Sequence, residues 1–312
     1  MADKIATREA YGASLAELGE KYDIVVLDAD LAEATKTVMF KKKFPERFFD
    51  CGISEANMMS VAAGLATAGK IPFVSSFAMF TAGRAFEQVR NSIGYPHLNV
   101  KIGATHAGVS VGEDGATHQC NEDIALMRAV PGMTVINPAD GTSTRAAVEA
   151  AILHNGPVYM RFGRLAVPYI YDDSLKFEIG KGIKLRDGRD ITIVSTGLTV
   201  YMALEAAKIL DGEGISAEVI DMHTIKPLDK ELLIASAKKT GAVITTEEHS
   251  VIGGLGGAVC EALSEACPTP VIRVGVEDVF GKSGKGAELV AEFGLSPENF
   301  VQKAKDAIAL KK

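Results

Sequence analysis

The sequence predicts an α/β fold of two domains, each built on a mainly parallel sheet. First, short runs rich in Val and Ile alternate with amphipathic helical stretches along the whole chain. Second, a polar stretch, "IYDDSLKFEIGKGIKLRDGRD", interrupts that rhythm from Ile170 to Asp190 and leaves enough strands on either side for a sheet in each half. Third, 312 residues are enough for two hydrophobic cores of ordinary size.

Taken in order, the first-half strands are "DIVVLDAD", "IPFVSSF", "NVKIGATH", "MTVINPA" and "PVYMRFG". The second half supplies "ITIVSTG", "AEVIDMH", "GAVITTEE" and "PVIRVGV". "GTSTRAAVEAAILHNG" and "LTVYMALEAAKILDGEG" space apolar residues as an amphipathic helix does. No repeat at a solenoid period and no low-complexity tract interrupts the pattern.

Composition excludes several classes of function. Hydrophobic residues make up 47% and charged residues 23%, the balance of a soluble globular protein, and no apolar run is long enough for a membrane span. The first 22 residues alternate charge with apolar side chains and lack a signal-peptide core, so a cytoplasmic protein is expected. A net charge of −7 and the absence of Trp argue against a nucleic-acid surface. Cys51, Cys120, Cys260 and Cys267 form no CxxC pair, so neither a metal knuckle nor a disulfide framework is expected.

In such sheets, ligand-contacting residues collect after the carboxyl ends of the strands. Asp28 and Asp30 end the first strand, Phe77 and Phe80 the second, and His106 through His118 follow the third. Asn137 and Asp140 follow the fourth, and Arg161 with Arg164 the fifth. Acid, aromatic, imidazole and guanidinium groups thus converge on one rim. In "THAGVSVGEDGATHQCNED", two histidines and Asp114 share a glycine-punctuated loop. Imidazole passes protons near neutral pH, a carboxylate holds a hydroxyl, and a mobile glycine loop lets both approach a polyol.

Three lookalikes are set aside. "GVEDVFGKS" has one residue too many between its outer glycines for a phosphate loop, and "GGLGGAV" fits a tight strand-to-helix turn. "EDGATHQ" loosely follows a metal-diphosphate signature, but that begins Gly-Asp-Gly, which occurs nowhere in the chain. In "FFDCGISEANMMSVAAGLATAG" a single carboxylate, Glu55, opens a segment of small and apolar residues. By itself it is as compatible with a helix-start acid, with Ser54 as cap, as with catalysis.

"GISEANM", "SSFAMF", "THAGVSVGEDGATHQ", "RFGR", "TEEHSVIGGLGGAV" and "FGKSGKGAELVAEFGLSPENF" together resemble transketolase. The resemblance covers essentially the whole chain, but only the C-terminal half of a full transketolase. It implies a pyrimidine-binding domain at residues 1–172, a linker at 173–185, and a smaller transketolase C-terminal α/β domain at 186–312. It also implies thiamine diphosphate and Mg²⁺ as cofactors, with the metal ligands on an N-terminal partner subunit carrying the diphosphate-binding domain. A two-plus-two heterotetramer would result, placed in the pentose phosphate pathway. Its reaction would move a two-carbon ketol unit from a ketose phosphate to an aldose phosphate.

Residue by residue, the resemblance makes Glu55 the carboxyl that hydrogen-bonds N1′ of the aminopyrimidine, and so promotes loss of the thiazolium C2 proton. Phe77 and Phe80 match the aromatics packed on the pyrimidine, with Phe86 a candidate for a third. Asp30 matches an acid near the thiazolium and the subunit interface. His106, Asp114 and His118 match residues around the ketose carbonyl and hydroxyls, the two histidines in catalytic roles, and Arg164 matches a phosphate-binding arginine. Departures are "THAG" for the commoner "THDS", Ala34 where a serine is common, and one inserted residue in "FTAGRAFEQVR". The alternatives are a 1-deoxyxylulose-5-phosphate synthase or 2-oxoacid dehydrogenase β chain, which the uninterrupted "GEDGATHQ" disfavours, and a non-catalytic assembly subunit. Retention of Glu55, both phenylalanines and both histidines disfavours the latter.

Overall fold

The computed structural model describes residues 4–311; the outermost ends of the two expected domains, residues 1–3 and 312, lie outside the described residues. The strands are β1 (Lys4–Ala6), β2 (Ile24–Asp28), β3 (Phe48–Asp50), β4 (Ile71–Phe77), β5 (Lys101–Thr105), β6 (Thr134–Ile136) and β7 (Val158–Arg161). They continue with β8 (Ala166–Pro168), β9 (Ile183–Arg186), β10 (Ile191–Ser195), β11 (Ala217–Asp221), β12 (Thr224–Lys226), β13 (Val243–Ser250) and β14 (Val271–Val276). Every strand expected from the sequence is present.

Two sheets organise the chain. The larger runs β12-β6-β7-β5-β4-β2-β3 and is parallel except for β12, which pairs antiparallel with β6. The smaller runs β14-β13-β10-β11-β9, parallel except for β9. β2, β4, β5 and β7 are buried along or almost along their whole length, so their sequences show no alternation of apolar and polar faces. The two strands that break the parallel pattern also break the expected organisation. β9 begins inside the polar interruption, and β12 belongs by sequence to the second half but extends the first sheet.

Helices cover both faces. On one, Tyr11 and Leu15 of the helix Thr7–Leu18 pack with Phe40, Phe73 and Phe162. Tyr11 crosses the sheet so closely that a Cβ at position 103 would lie 2.1 Å from its hydroxyl, so only glycine fits there. On the other face, Met58, Met59 and Ala62 of the helix Glu55–Thr67 join a core that continues into Ile220, Met222 and Ile225 of the second half. A third cluster, with Ile193, Leu210, Val274 and Phe300, packs against the smaller sheet. Among the described residues, no helix is long and apolar enough to cross a membrane.

Candidate active site

The first strand of the site is β4. Its last residue, Phe77, stacks at 3.9 Å between centroids on His106, the residue that follows β5. Phe80 lies 5.9 Å from Phe77 in a stacked arrangement and meets His118 edge-on at 5.4 Å. Beside them, Glu55 is the first residue of the helix Glu55–Thr67, and its side chain is 2% exposed. The sheet therefore brings Glu55, Phe77, Phe80, His106 and His118 into one cluster, although 63 residues separate the first from the last.

The Ser54 cap expected for a purely structural Glu55 is absent: Ser54 makes no side-chain cap bond. The hydrogen bonds that the carboxylate accepts come instead from Arg84, whose Nη1 lies 3.2 Å from Oε1 and 3.0 Å from Oε2. The guanidinium carbon of Arg84 also sits 4.6 Å from the centre of the Phe80 ring. Arg84 ends a π-helical turn, Met79–Arg84, in which the Ala85 N–H donates to the Phe80 carbonyl five residues back. Such a turn accommodates one extra residue in a helix, and it falls at the insertion noted in "FTAGRAFEQVR". Phe86 does not supply a third stacked ring; it is carried round into the adjacent apolar core.

His106 is buried and held in a left-handed backbone conformation, φ 55°. Arg8 Nη1 donates to its Nε2 at 3.1 Å, because a guanidinium has no acceptor. The ring proton is therefore on Nδ1, which donates to Thr105 Oγ1 at 2.9 Å. Burial first, and then the cations Arg8 and Arg164, push the pKa of His106 down to about 3. In this arrangement burial and the neighbouring cations favour the neutral imidazole. His118 is half-buried, with Nδ1 2.9 Å from Thr117 Oγ1.

Arg8 was not marked by any motif. It reaches the site because the start of its helix is tied to the β7–β8 loop, where the Gly163 N–H donates to Thr7 Oγ1 at 2.8 Å. Its other contact is the Ala34 carbonyl at 2.8 Å, and it forms no ion pair among the described residues. Its buried Nε also lacks a partner among the described residues. Arg164, by contrast, donates to the Val111 carbonyl and lies 3.2 Å from Glu113 and 3.8 Å from Asp114. Asp114 thus faces Arg164 rather than the aromatic cluster.

Other rim residues are placed elsewhere. Asp30 is exposed with φ 62° and lines a separate groove with Leu31, Glu33, Lys41 and Asp50. Its neighbour Asp28 is buried, which raises its pKa to about 6, and accepts from Leu31 N, Thr35 Oγ1 and Thr37 Oγ1. Asp140 caps the helix Gly141–Leu153 in a capping box with Ser143. Arg161 is buried, 2.9 Å from Asp123, and donates to the Glu248 carbonyl, so it braces the two halves.

The loop from His106 to His118 is not a free glycine flap. Gly108, Gly112 and Gly115 supply positive φ angles for tight turns. The Ser110 N–H donates to Glu248 Oε1 at 2.7 Å, and Gln119 Nε2 to the Lys282 carbonyl at 2.9 Å. Between this loop and residues 277–281 opens a cleft of about 630 Å³, bordered by Phe80 and Arg84. "GGLGGAV" is the expected strand-to-helix turn. The helix start it forms is filled by Glu247, which accepts from Leu255 N and Gly256 N at 2.7 and 2.8 Å.

Comparison with known proteins gives this arrangement a family. Residues 3–169 match the model of the transketolase pyrimidine-binding domain, and residues 180–300 that of the transketolase C-terminal domain. A putative transketolase C-terminal section from Methanocaldococcus jannaschii is 52% identical over 300 residues, covering 95% of this chain and 94% of that protein. A 6-deoxy-6-sulfo-D-fructose transketolase subunit from a Clostridium species is 46% identical over 298 residues, covering 95% and 92%. A solved split-gene transketolase, described as an inactive β4 tetramer, superposes with a TM-score of 0.92 at 55% identity, covering 99% and 100% of the two chains. The chain belongs to the transketolase family and carries its pyrimidine-binding and C-terminal domains.

Proposed function

We propose that this chain is the C-terminal subunit of a two-chain, thiamine-diphosphate-dependent transketolase. In this proposal it is a cytoplasmic protein that works in a two-plus-two heterotetramer with an N-terminal partner bearing the diphosphate-binding domain and the Mg²⁺ ligands. It transfers a two-carbon ketol unit from a ketose phosphate to an aldose phosphate. Residues 1–172 form its pyrimidine-binding domain, 173–185 the connection and 186–312 the C-terminal domain.

The observation that carries the proposal is the joint position of Glu55, Phe77 and Phe80. A buried carboxylate that accepts two N–H contacts from a flat cation, itself lying over an aromatic ring, has the chemistry to receive a flat heteroaromatic N–H donor. The donor set therefore fits an aminopyrimidine. When bound, thiamine diphosphate supplies a carbon nucleophile at its thiazolium C2. Glu55 holds the proton at N1′, and Phe77 and Phe80 fix the ring plane. His106, with its proton on Nδ1, orients substrate oxygens together with Arg8, and His118 acts beside it as the second catalytic histidine. Asp114 holds a sugar hydroxyl, Arg164 and Arg8 hold the anionic end of the sugar, and Asp30 faces the subunit boundary.

The test is reconstitution. The chain alone should show no ketol transfer, with activity appearing on addition of the partner, thiamine diphosphate and Mg²⁺. In that complex Glu55→Gln should still bind cofactor yet slow hydrogen–deuterium exchange at C2 by at least about 100-fold, the usual scale of a lost proton-transfer group. Turnover by the chain alone, or wild-type exchange in Glu55→Gln, would refute the proposal.

A further inference from the structure

Arg84 satisfies Glu55 and covers Phe80 at the same time. A buried carboxylate left without a partner is costly, and Glu55 has only 2% of its side chain exposed. The guanidinium that covers it is flat, presents N–H donors along one edge and stacks readily on aromatic faces. Through Nη1 it bonds both oxygens of Glu55, at 3.2 and 3.0 Å, while its guanidinium carbon lies 4.6 Å from the centre of the Phe80 ring. These are the two surfaces that an aminopyrimidine ring would need, the carboxylate for its N–H edge and the phenyl for its face.

Position and freedom agree with this. Arg84 sits at the end of the π-helical turn Met79–Arg84, so the extra residue in that turn rotates its side chain toward Glu55. Its own side chain is 52% exposed and borders the 630 Å³ cleft, which gives it room to swing away while the turn stays folded.

We propose that Arg84 is an internal stand-in for the cofactor's pyrimidine ring, satisfying Glu55 and Phe80 until thiamine diphosphate displaces it. The proposal rests on the functional reading given above. Displacement makes Arg84 a competitor, since the cofactor binds only the fraction of molecules in which Glu55 is free, and apparent affinity falls by that fraction. It follows that removing Arg84 tightens cofactor binding, the opposite of what the loss of a structural or cofactor-holding residue does.

The experiment is a calorimetric titration of thiamine diphosphate, with Mg²⁺ present, into the assembled two-chain complex carrying wild-type chain, Arg84→Met or Arg84→Gln. Arg84→Met keeps the apolar stem and removes the donors, and its Kd is expected to fall about tenfold. Arg84→Gln is the control against misfolding of the Met variant, and its Kd should fall by at least about threefold. Unchanged or weaker binding in the folded variants overturns the stand-in. Failure of the wild-type complex to take up thiamine diphosphate is a different result, which refutes the functional reading and this proposal with it.

Discussion

Arg8 and Arg164 both raise the potential around His106, but their charges are not equally available. Arg164 is flanked by Glu113 and Asp114, whereas among the described residues Arg8 has only the His106 ring and a carbonyl for partners. An anion arriving at Arg8 therefore displaces no competing carboxylate. In the reconstituted enzyme, Arg164→Ala should raise KM for sugar phosphates about three- to tenfold, and Arg8→Ala by more, on the scale of a lost charged hydrogen bond. KM for unphosphorylated analogues should barely move under Arg164→Ala, and equal losses for both substrate types would mark Arg164 as structural. His106 gives a second expectation. In the unfolded chain it takes up a proton as pH falls through 6.5, but in the folded chain only near 3. Its contribution to stability is thus complete above pH 6.5 and is lost as pH falls toward 3. His106→Gln should reduce the loss of stability between pH 7.5 and pH 5 by about 1–2 kcal/mol, read from urea unfolding at the two values. At this scale the sequence was partly legible. Glu55 stood out as a lone charge in an apolar run, and the histidines as a pair on one loop. Arg8 and Arg84 carried no signal, because what distinguishes them is the absence of a carboxylate partner in one case and a helical rotation in the other.

Among elements, buried parallel strands were the most legible, since burial on both faces forces continuous Val and Ile. The strands that escaped notice are short and lie at sheet edges or in the small β1–β8 ribbon: β1, β3, β8, β9 and β12 have three or four residues each. A segment with one solvent-facing side and so few residues has no period to detect, and β9, "IKLR", is further masked by the charged stretch around it. The π-helical turn at Met79–Arg84 was foreshadowed only as an apparent insertion. Asp140 shows how rim position misleads. It lies beyond β6, as a ligand residue would, yet its carboxylate accepts from Ser143 N at 2.8 Å, Ile170 N at 2.6 Å and Tyr171 N at 2.9 Å. It joins a helix start to the segment that leaves the first domain. Asp140→Ala should destabilise the chain by about 2–3 kcal/mol, a lost cap plus buried donors left unpaired. Thiamine diphosphate affinity of the assembled complex should stay within about threefold on that view, since the residue touches no ligand surface. Thermal unfolding and cofactor titration of the same variant check both halves of the expectation.

Over the whole molecule, the two domains are joined by more than a linker. Arg161 reaches from β7 to the carbonyl at Glu248, Glu248 accepts from Ser110, and the apolar core runs without a break from Met58 to Ile225. The glycine-rich loop that bears His118 is fixed from both sides, so its geometry depends on the second domain as much as on the first.

β12 carries this dependence into the first sheet itself. Thr224 pairs with Ile136 and Lys226 with Val135, and Lys226 Nζ donates to the carbonyls of Arg128 and Val130 at 2.7 and 2.6 Å. Cut away from the second half, residues 1–172 would present β6 as a naked row of backbone donors and acceptors beside uncovered apolar surface, a template for self-association. Such a fragment should therefore run as soluble aggregate or precipitate in light scattering, where the full chain gives a discrete species. As a surface the first domain is left unfinished by its own residues, and the three that finish it come from the other one.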